Sequence, residues 1–198
     1  MTALEKPRLI SEADYLAGEL TSTVKHEYLG GIVHAMAGAG NQHNDIVVNI
    51  TSALHARLRG RPCRPCNSDT KVRVRLGSQI RYYYPDTSVV CRPNPPEDSF
   101  HDEPVVVVEV LSPSTRRIDM TEKQEAYFAI PSLLVYVLVE PDSALITIHR
   151  RTPRGFVAEV YRGLEAIVPL PEIGIELPLA EVYERVTGIE TGGDPSQT

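Results

Sequence analysis

The sequence predicts an α/β (α+β) domain, a mixed central β-sheet flanked by helices with a hairpin at its N-terminal side. Three observations carry that expectation. Val105-Val106-Val107-Val108 is a β-branched run with no polar side chain, the pattern of a strand buried on both faces. Residues 41–59 repeat apolar side chains (Ile46, Val47, Ile50, Ala53, Leu54, Leu58) every three or four positions, which marks an amphipathic helix. Segments 133–139, 144–150 and 155–161 read as strands joined by Pro-Asp-Ser and Pro-Arg-Gly turns, an antiparallel meander.

Taken in order, Ser11-Glu12-Ala13-Asp14 is an N-capped start for a short helix that stops near Gly18. Two strand-like runs, 25–29 and 32–36, flank Gly30-Gly31 and form a hairpin. Gly60 and Pro62 end the long helix. Strands follow at 70–76, 79–84 and 87–91, the tyrosines 82–84 serving sheet packing rather than base stacking. Residues 92–104, rich in Pro, Asp and Glu, read as an irregular loop whose acids are solvated. After strand 105–111 come a helix over 120–130, closed by Pro131, and a last helix over 179–186.

At 198 residues and 42% apolar content the chain can bury one sizeable core, so 1–190 reads as one domain and 191–198 as a disordered tail. No apolar run approaches the ~20 residues of a membrane span, and the first residues lack the form of a secretory signal. A cytoplasmic protein is expected. Three cysteines exclude a full disulfide framework. Cys63-Arg64-Pro65-Cys66 is half of a zinc pattern without its second half, which leaves two small, partly buried thiols as the plain reading and a zinc-stabilised interaction module as an alternative.

A net charge of −6 argues against a protein that coats nucleic acid by bulk attraction. The charge is uneven, however. Residues 57–81 hold eight cations against Asp69 alone, so that segment is +7 and the remainder −13. Lys71, Arg73 and Arg75 alternate with Val72, Val74 and Leu76, as the solvated face of a strand would. The same stripe suits a phosphodiester backbone.

Glu109 interrupts the valine strand, and a carboxylate there must be paired, protonated or bound to a cation. Asp86 follows Tyr84-Pro85 and opens a neighbouring strand, so the two acids make a hard-oxygen site suited to Mg²⁺ or Mn²⁺. Glu27, in the first hairpin arm, can join them if the hairpin packs alongside. Asp119, Lys123 and Tyr127 are spaced by four and share a helix face. Either Lys123 makes an exposed pair with Asp119, worth ~0.3–0.5 kcal/mol, or its ammonium points back over Glu109, where it can hold a phosphate or an attacking water. His43 stands at a turn-to-helix junction that can approach a substrate.

The order of hairpin Glu27, helix, Pro85-Asp86, strand Glu109 and helix resembles the PD-(D/E)XK nuclease superfamily. Within it, the segments 26–33, 84–90 and 109–115, then Asp119, Lys123, Tyr127 and 136–139, resemble the restriction-endonuclease-like Uma-two family. The resemblance covers about residues 11–183. It implies a restriction-endonuclease-like fold and metal-dependent hydrolysis of DNA phosphodiesters. Asp86, Glu109 and the Val110 carbonyl would be metal ligands, Glu27 an auxiliary acid, and His43, Arg73, Arg75 and Tyr127 substrate contacts. The departure is at Leu111, where the superfamily pattern has a lysine; Lys123 is the relocated candidate. A homodimer is expected by analogy with double-strand cutting. From a different class comes a second reading, a nuclease-like fold without catalysis that binds nucleic acid or a protein.

Overall fold

The structure is a computed structural model and describes residues 9–36 and 38–191, so the expected tail lies, from residue 192 on, outside the described residues. Helix α1 (Glu12–Glu19) is capped by Ser11, whose hydroxyl oxygen accepts the Asp14 N–H at 3.1 Å. The hairpin of β1 (His26–Leu29) and β2 (Ile32–Ala35) turns at Gly30 and Gly31, both at positive φ (61° and 109°), which a two-residue turn of this hand requires. Helix α2 (Asn41–Leu58) buries Ile46, Ile50, Ala53, Leu54 and Leu58, the stripe its periodicity predicts.

Six strands follow: β3 (Arg64–Asn67), β4 (Lys71–Leu76), β5 (Gln79–Tyr83), β6 (Thr87–Val90), β7 (Phe100–His101) and β8 (Pro104–Val110). A helical stretch comes next, made of α3 (Arg116–Ile118), a π-helical turn (Asp119–Lys123) and α4 (Gln124–Phe128). Strands β9 (Val135–Val139), β10 (Leu145–Thr152) and β11 (Gly155–Arg162) form the expected meander. The small hairpin β12 (Ile167–Leu170) and β13 (Ile175–Pro178) leads into α5 (Leu179–Val182).

The mixed architecture with flanking helices holds, but the strands divide into two larger sheets and the small hairpin. One sheet runs β2-β1-β5-β4-β7 and the other β11-β10-β9-β8-β6-β3. Tyr84-Pro85-Asp86 is the step between them, since β5 belongs to the first and β6 to the second. Proline lacks the N–H that a continuing ladder needs, which favours the break at this point. Strand β8 pairs antiparallel with β6 and parallel with β9, the helical stretch forming the crossover.

Alternation along β8 sorts its side chains. Val106, Val108 and Val110 join Ile46, Ile50 and Leu54 of α2 on one face of the six-stranded sheet. Val107 joins Tyr136 and Leu138 on the other, against Val72, Val74 and Tyr83 of the first sheet and Tyr127 of α4. Glu109 keeps the phase of Val107, so its carboxylate lies between the two sheets. Each buried valine contributes about 1.5–3 kcal/mol relative to exposure, whereas a carboxylate there must be compensated.

Several expectations are corrected. Cys63 is bonded to Cys91, flanking the paired ends of β3 and β6, and only Cys66 is free. That removes the two-thiol reading and the zinc module built on Cys63 and Cys66. Lys71 is not solvated: it is buried under Tyr84, whose hydroxyl lies 3.2 Å from its ammonium. Asp102, expected in a solvated loop, is an ion-pair acceptor, and Phe100–His101 in the same loop forms β7. The helix expected over 120–130 starts at Arg116, and the last helix ends at Val182. Strand β3 escapes prediction because Arg64-Pro65-Cys66-Asn67 has no strand pattern; it is an edge, where proline is tolerated.

Candidate active site

At the step between the sheets the main chain locks two acids together. The Val110 N–H donates to Asp86 Oδ2 at 2.7 Å, and the Asp86 N–H reaches Glu109 Oε2 at 3.4 Å. Helix α2 places His43 in its first turn, with Nε2 3.1 Å from the same Asp86 oxygen. These groups line a cavity of about 290 Å³, closed on its other side by the 112–115 loop and by Gly38 and Gly40 ahead of α2. Gly40 caps α2 without a side-chain bond, so the positive end of an 18-residue helix opens toward the carboxylates.

Lys123 is the centre of charge. Its ammonium is 3.2 Å from Glu27 Oε1, 3.3 Å from Glu109 Oε1 and 3.2 Å from Asp119 Oδ1. The π-helical turn brings Asp119 and Lys123 to the same point, and such turns recur at functional sites. Tyr127, one further turn along, donates to Glu109 Oε1 at 3.1 Å. Contacts of Lys123 with Glu27 and Asp119 are ionic rather than well-formed hydrogen bonds, because Glu27 Oε1 and Asp119 Oδ1 have no hydrogen-bond partner among the described residues.

Burial dominates the electrostatics. It drives the Glu109 carboxyl well above the ordinary range, opposed by Lys123 and reinforced by the charges of Asp119, Asp86 and Glu27. Burial lowers Lys123, but Glu109, Glu27 and Asp119 together raise it well above a free lysine. For His43 burial is likewise outweighed, by the hydrogen bond and charge of Asp86, the Val110 main chain and Asp119, and the imidazole is raised. Four carboxylates thus surround one lysine and one histidine.

That excess of buried negative charge, offered by carboxylates and a main-chain carbonyl, fits a hard divalent cation. Among the described residues no three His, Cys, Asp or Glu side chains converge into a ready cation cage. A Mg²⁺ ion does not need one, since it is held by one or two carboxylates with water and substrate phosphate. Asp86, Glu109 and Asp119 are the acids that border the cavity with Val110, while Glu27 lies behind Lys123.

The structure brings Glu27, His43, Asp86, Glu109, Val110, Lys123 and Tyr127 into one neighbourhood. Tyr127 is fully buried against Glu109, on the inner side of the cluster. Arg73 and Arg75 stand elsewhere: Arg73 grips Asp102 through two bonds of 2.7 and 2.8 Å, and Arg75 reaches the same carboxylate at 3.1 Å. Asp119 takes a share of Lys123 that the helix spacing signalled only as a neighbour pair.

The comparisons agree with this geometry at the level of family and fold. A crystal structure of a putative nuclease belonging to DUF820 from Anabaena variabilis matches with a TM-score of 0.70 over 88% of this chain and 97% of its own, at 19% identity, which shows the fold alone. Two uncharacterized Synechocystis proteins are similar in sequence: slr1290 is 35% identical over 88% of this chain and 91% of its own length, and sll1609 is 29% identical over 71% and 80%. The family model described as Uma2, putative restriction endonuclease, matches residues 12–180. With that span matched and a nuclease-like fold around the paired acids, the chain belongs to the Uma2 family of the PD-(D/E)XK-like nucleases.

Proposed function

We propose that the chain is a Mg²⁺- or Mn²⁺-dependent endonuclease that hydrolyses DNA phosphodiester bonds at the cavity bordered by Asp86 and Glu109. The observation that carries this reading is the convergence of three carboxylates on Lys123, with a fourth, Asp86, held by His43 beside the same open cavity, leaving negative charge that the chain's own cations do not balance. A bound ion would supply Lewis acidity and a water of lowered pKa. The chain's own parts have separate tasks. The Val110 N–H holds Asp86 at a fixed angle, Lys123 and Tyr127 hold Glu109, and the uncapped N-terminus of α2 offers N–H donors to the oxygens of an incoming phosphate. His43, beside Asp86 at the cavity wall, is placed to contact that phosphate.

The second reading is a nuclease-like fold that binds nucleic acid or a protein without cutting. It is favoured by the lack, among the described residues, of a three-ligand cation cage, and by Lys123, at the cavity wall, being already engaged by three carboxylates. On cation ligands alone this reading has the better support. Cleavage of supercoiled plasmid with Mn²⁺, by the intact protein and by Asp86→Ala, decides between them. Metal-dependent nicking that disappears in Asp86→Ala supports hydrolysis; a folded protein that binds DNA and never nicks it establishes the second reading.

Residues 1–190 as one domain, and a homodimer with two such cavities, belong to the same proposal; limited proteolysis and sedimentation test them. No helix among the described residues is long and apolar enough to cross a membrane. The cytoplasmic location expected from the sequence stands against the Cys63–Cys91 disulfide, which reducing compartments disfavour. Thiol titration of protein taken directly from cells tests that point.

A further inference from the structure

The basic segment 57–81 is taken apart by folding. Arg57 pairs with Glu181, Arg61 donates to the Gly174 carbonyl, Arg73 and Arg75 share Asp102, and Arg81 reaches Glu122. Arg59 and Arg64 remain exposed with no carboxylate partner among the described residues. Both line a groove of about 650 Å³ between α2 and the edge strand β3, and no Asp or Glu lines it. His55 stands one turn before Arg59 on the outward face of α2, and Ala56 between them keeps the floor low.

The groove and the Asp86 cavity share no lining residue but flank one contact. Thr51, on the groove wall, shares a 2.7 Å hydrogen bond with Thr87, the residue after Asp86, and Thr87 pairs with Asn67 of β3. Helix α2 spans the whole distance, carrying His43 at the cavity and Arg59 at the far end. Sixteen residues of helix cover about 24 Å, or about seven nucleotides at 3.4 Å per nucleotide of one strand.

We propose that the groove between α2 and β3 carries the phosphodiester backbone of a nucleic-acid strand away from the Asp86 cavity, with Arg59 and Arg64 as its phosphate contacts. This rests on the reading that the Asp86 cavity acts on nucleic acid. A protein strand added to the β3 edge is the poorer occupant, because Pro65 lacks an N–H for the ladder and Arg64 is charged, the two devices by which edges resist pairing. An acid-free, doubly cationic wall selects a polyanion instead.

The test is fluorescence anisotropy of a labelled DNA duplex and of the matching single strand on the full chain, with EDTA present so that binding is read without cleavage. In R59A/R64A the affinity falls at least about tenfold near 0.1 M salt, and for the duplex the slope of log K against log salt flattens by about 1.8, the share of two phosphate contacts. R64E falls further. Arg154, exposed in the β10–β11 turn at the opposite edge of the same sheet, is the control, and R154A keeps the wild-type slope. Wild-type affinity and slope in folded R59A/R64A overturn the proposal, as does an intact protein that binds neither DNA form at low salt, which leaves the edge to a protein partner. Plasmid cleavage run alongside separates the two failures. Asp86-dependent cutting with an unchanged slope overturns the groove alone; a flattened slope in a protein that never cuts supports the groove and overturns hydrolysis.

Discussion

Two clusters in this chain are built from the same materials and come out opposite in balance. Around Asp102, two arginines share one carboxylate, with a planar two-bond grip by Arg73 and the ring of Phe100 stacked 4.2 Å beneath its guanidinium. Around Lys123, three carboxylates share one ammonium, and a fourth, Asp86, stands just beyond. The first cluster is closed: its hydrogen bonds are made, and Glu12, 3.7 Å from Arg73, supplies the second negative charge. The second is open, because a single lysine cannot neutralise its neighbours and two of their oxygens lack hydrogen-bond partners. Structural ion pairs complete themselves, whereas a site for an external cation or phosphate leaves something undone.

The sharpest way to break this comparison is Lys123→Met. With the buried ammonium gone, Glu27, Glu109 and Asp119 face one another unpaired, and denaturant unfolding should register a loss of about 3–5 kcal/mol. Added Mn²⁺ should restore part of it, and plasmid nicking should fall by about a hundredfold or more. Equal instability with and without Mn²⁺ would remove the cation from the account. Arg73→Ala is the matched change in the closed cluster, expected to cost about 2–3 kcal/mol and to leave nicking unaltered.

The closed cluster also has a pH signature. Burial raises the Asp102 carboxyl, but the bonds from Arg73 and Asn94 and the charges of Arg73 and Arg75 lower it more, so it lies below its ordinary 3.8. A carboxyl depressed in the folded state contributes stability that is fully present above its unfolded value and is lost as pH falls through the folded one. Urea midpoints below pH 4 should therefore drop more steeply for the wild type than for Asp102→Asn. Parallel curves would mean that the pair contributes no pH-dependent stability. The smallest effect expected is that of Tyr127→Phe, which removes one of the bonds to Glu109 at about 0.5–1.5 kcal/mol and slows nicking by less than about tenfold, since Lys123 still holds the carboxylate.

How much of this was readable depended on whether a contact leaves a local trace. The valine strand and the stripe of α2 are periodic, and the structure follows them closely. Glu109 was conspicuous because it breaks an apolar strand, and Lys123 and Tyr127 because four-residue spacing puts them on one face. The π-helical turn has no comparable signature: the spacing signals the Asp119–Lys123 pair only as an exposed one, and its burial beside Glu109 leaves no local trace. Arg73 and Asp102 lie 29 residues apart, the acid in a Pro-rich segment that reads as solvent-facing; only the parallel pairing of β7 with β4 brings them together. The Cys63–Cys91 bond was hidden likewise, because β3 lacks a strand pattern and its register against β6 could not be anticipated.

The step at Tyr84-Pro85-Asp86 has a mechanical consequence. Glu27 is anchored in one sheet, Glu109 in the other, and Asp86 on the link between them, so the spacing of the acids is set by how far the two sheets stand apart. The cluster is in effect a strain gauge for that gap. A side chain that wedges the sheets open near Val107 or Tyr83, remote from any substrate, shifts Glu27 against Glu109 and leaves Lys123 to bridge a wider span.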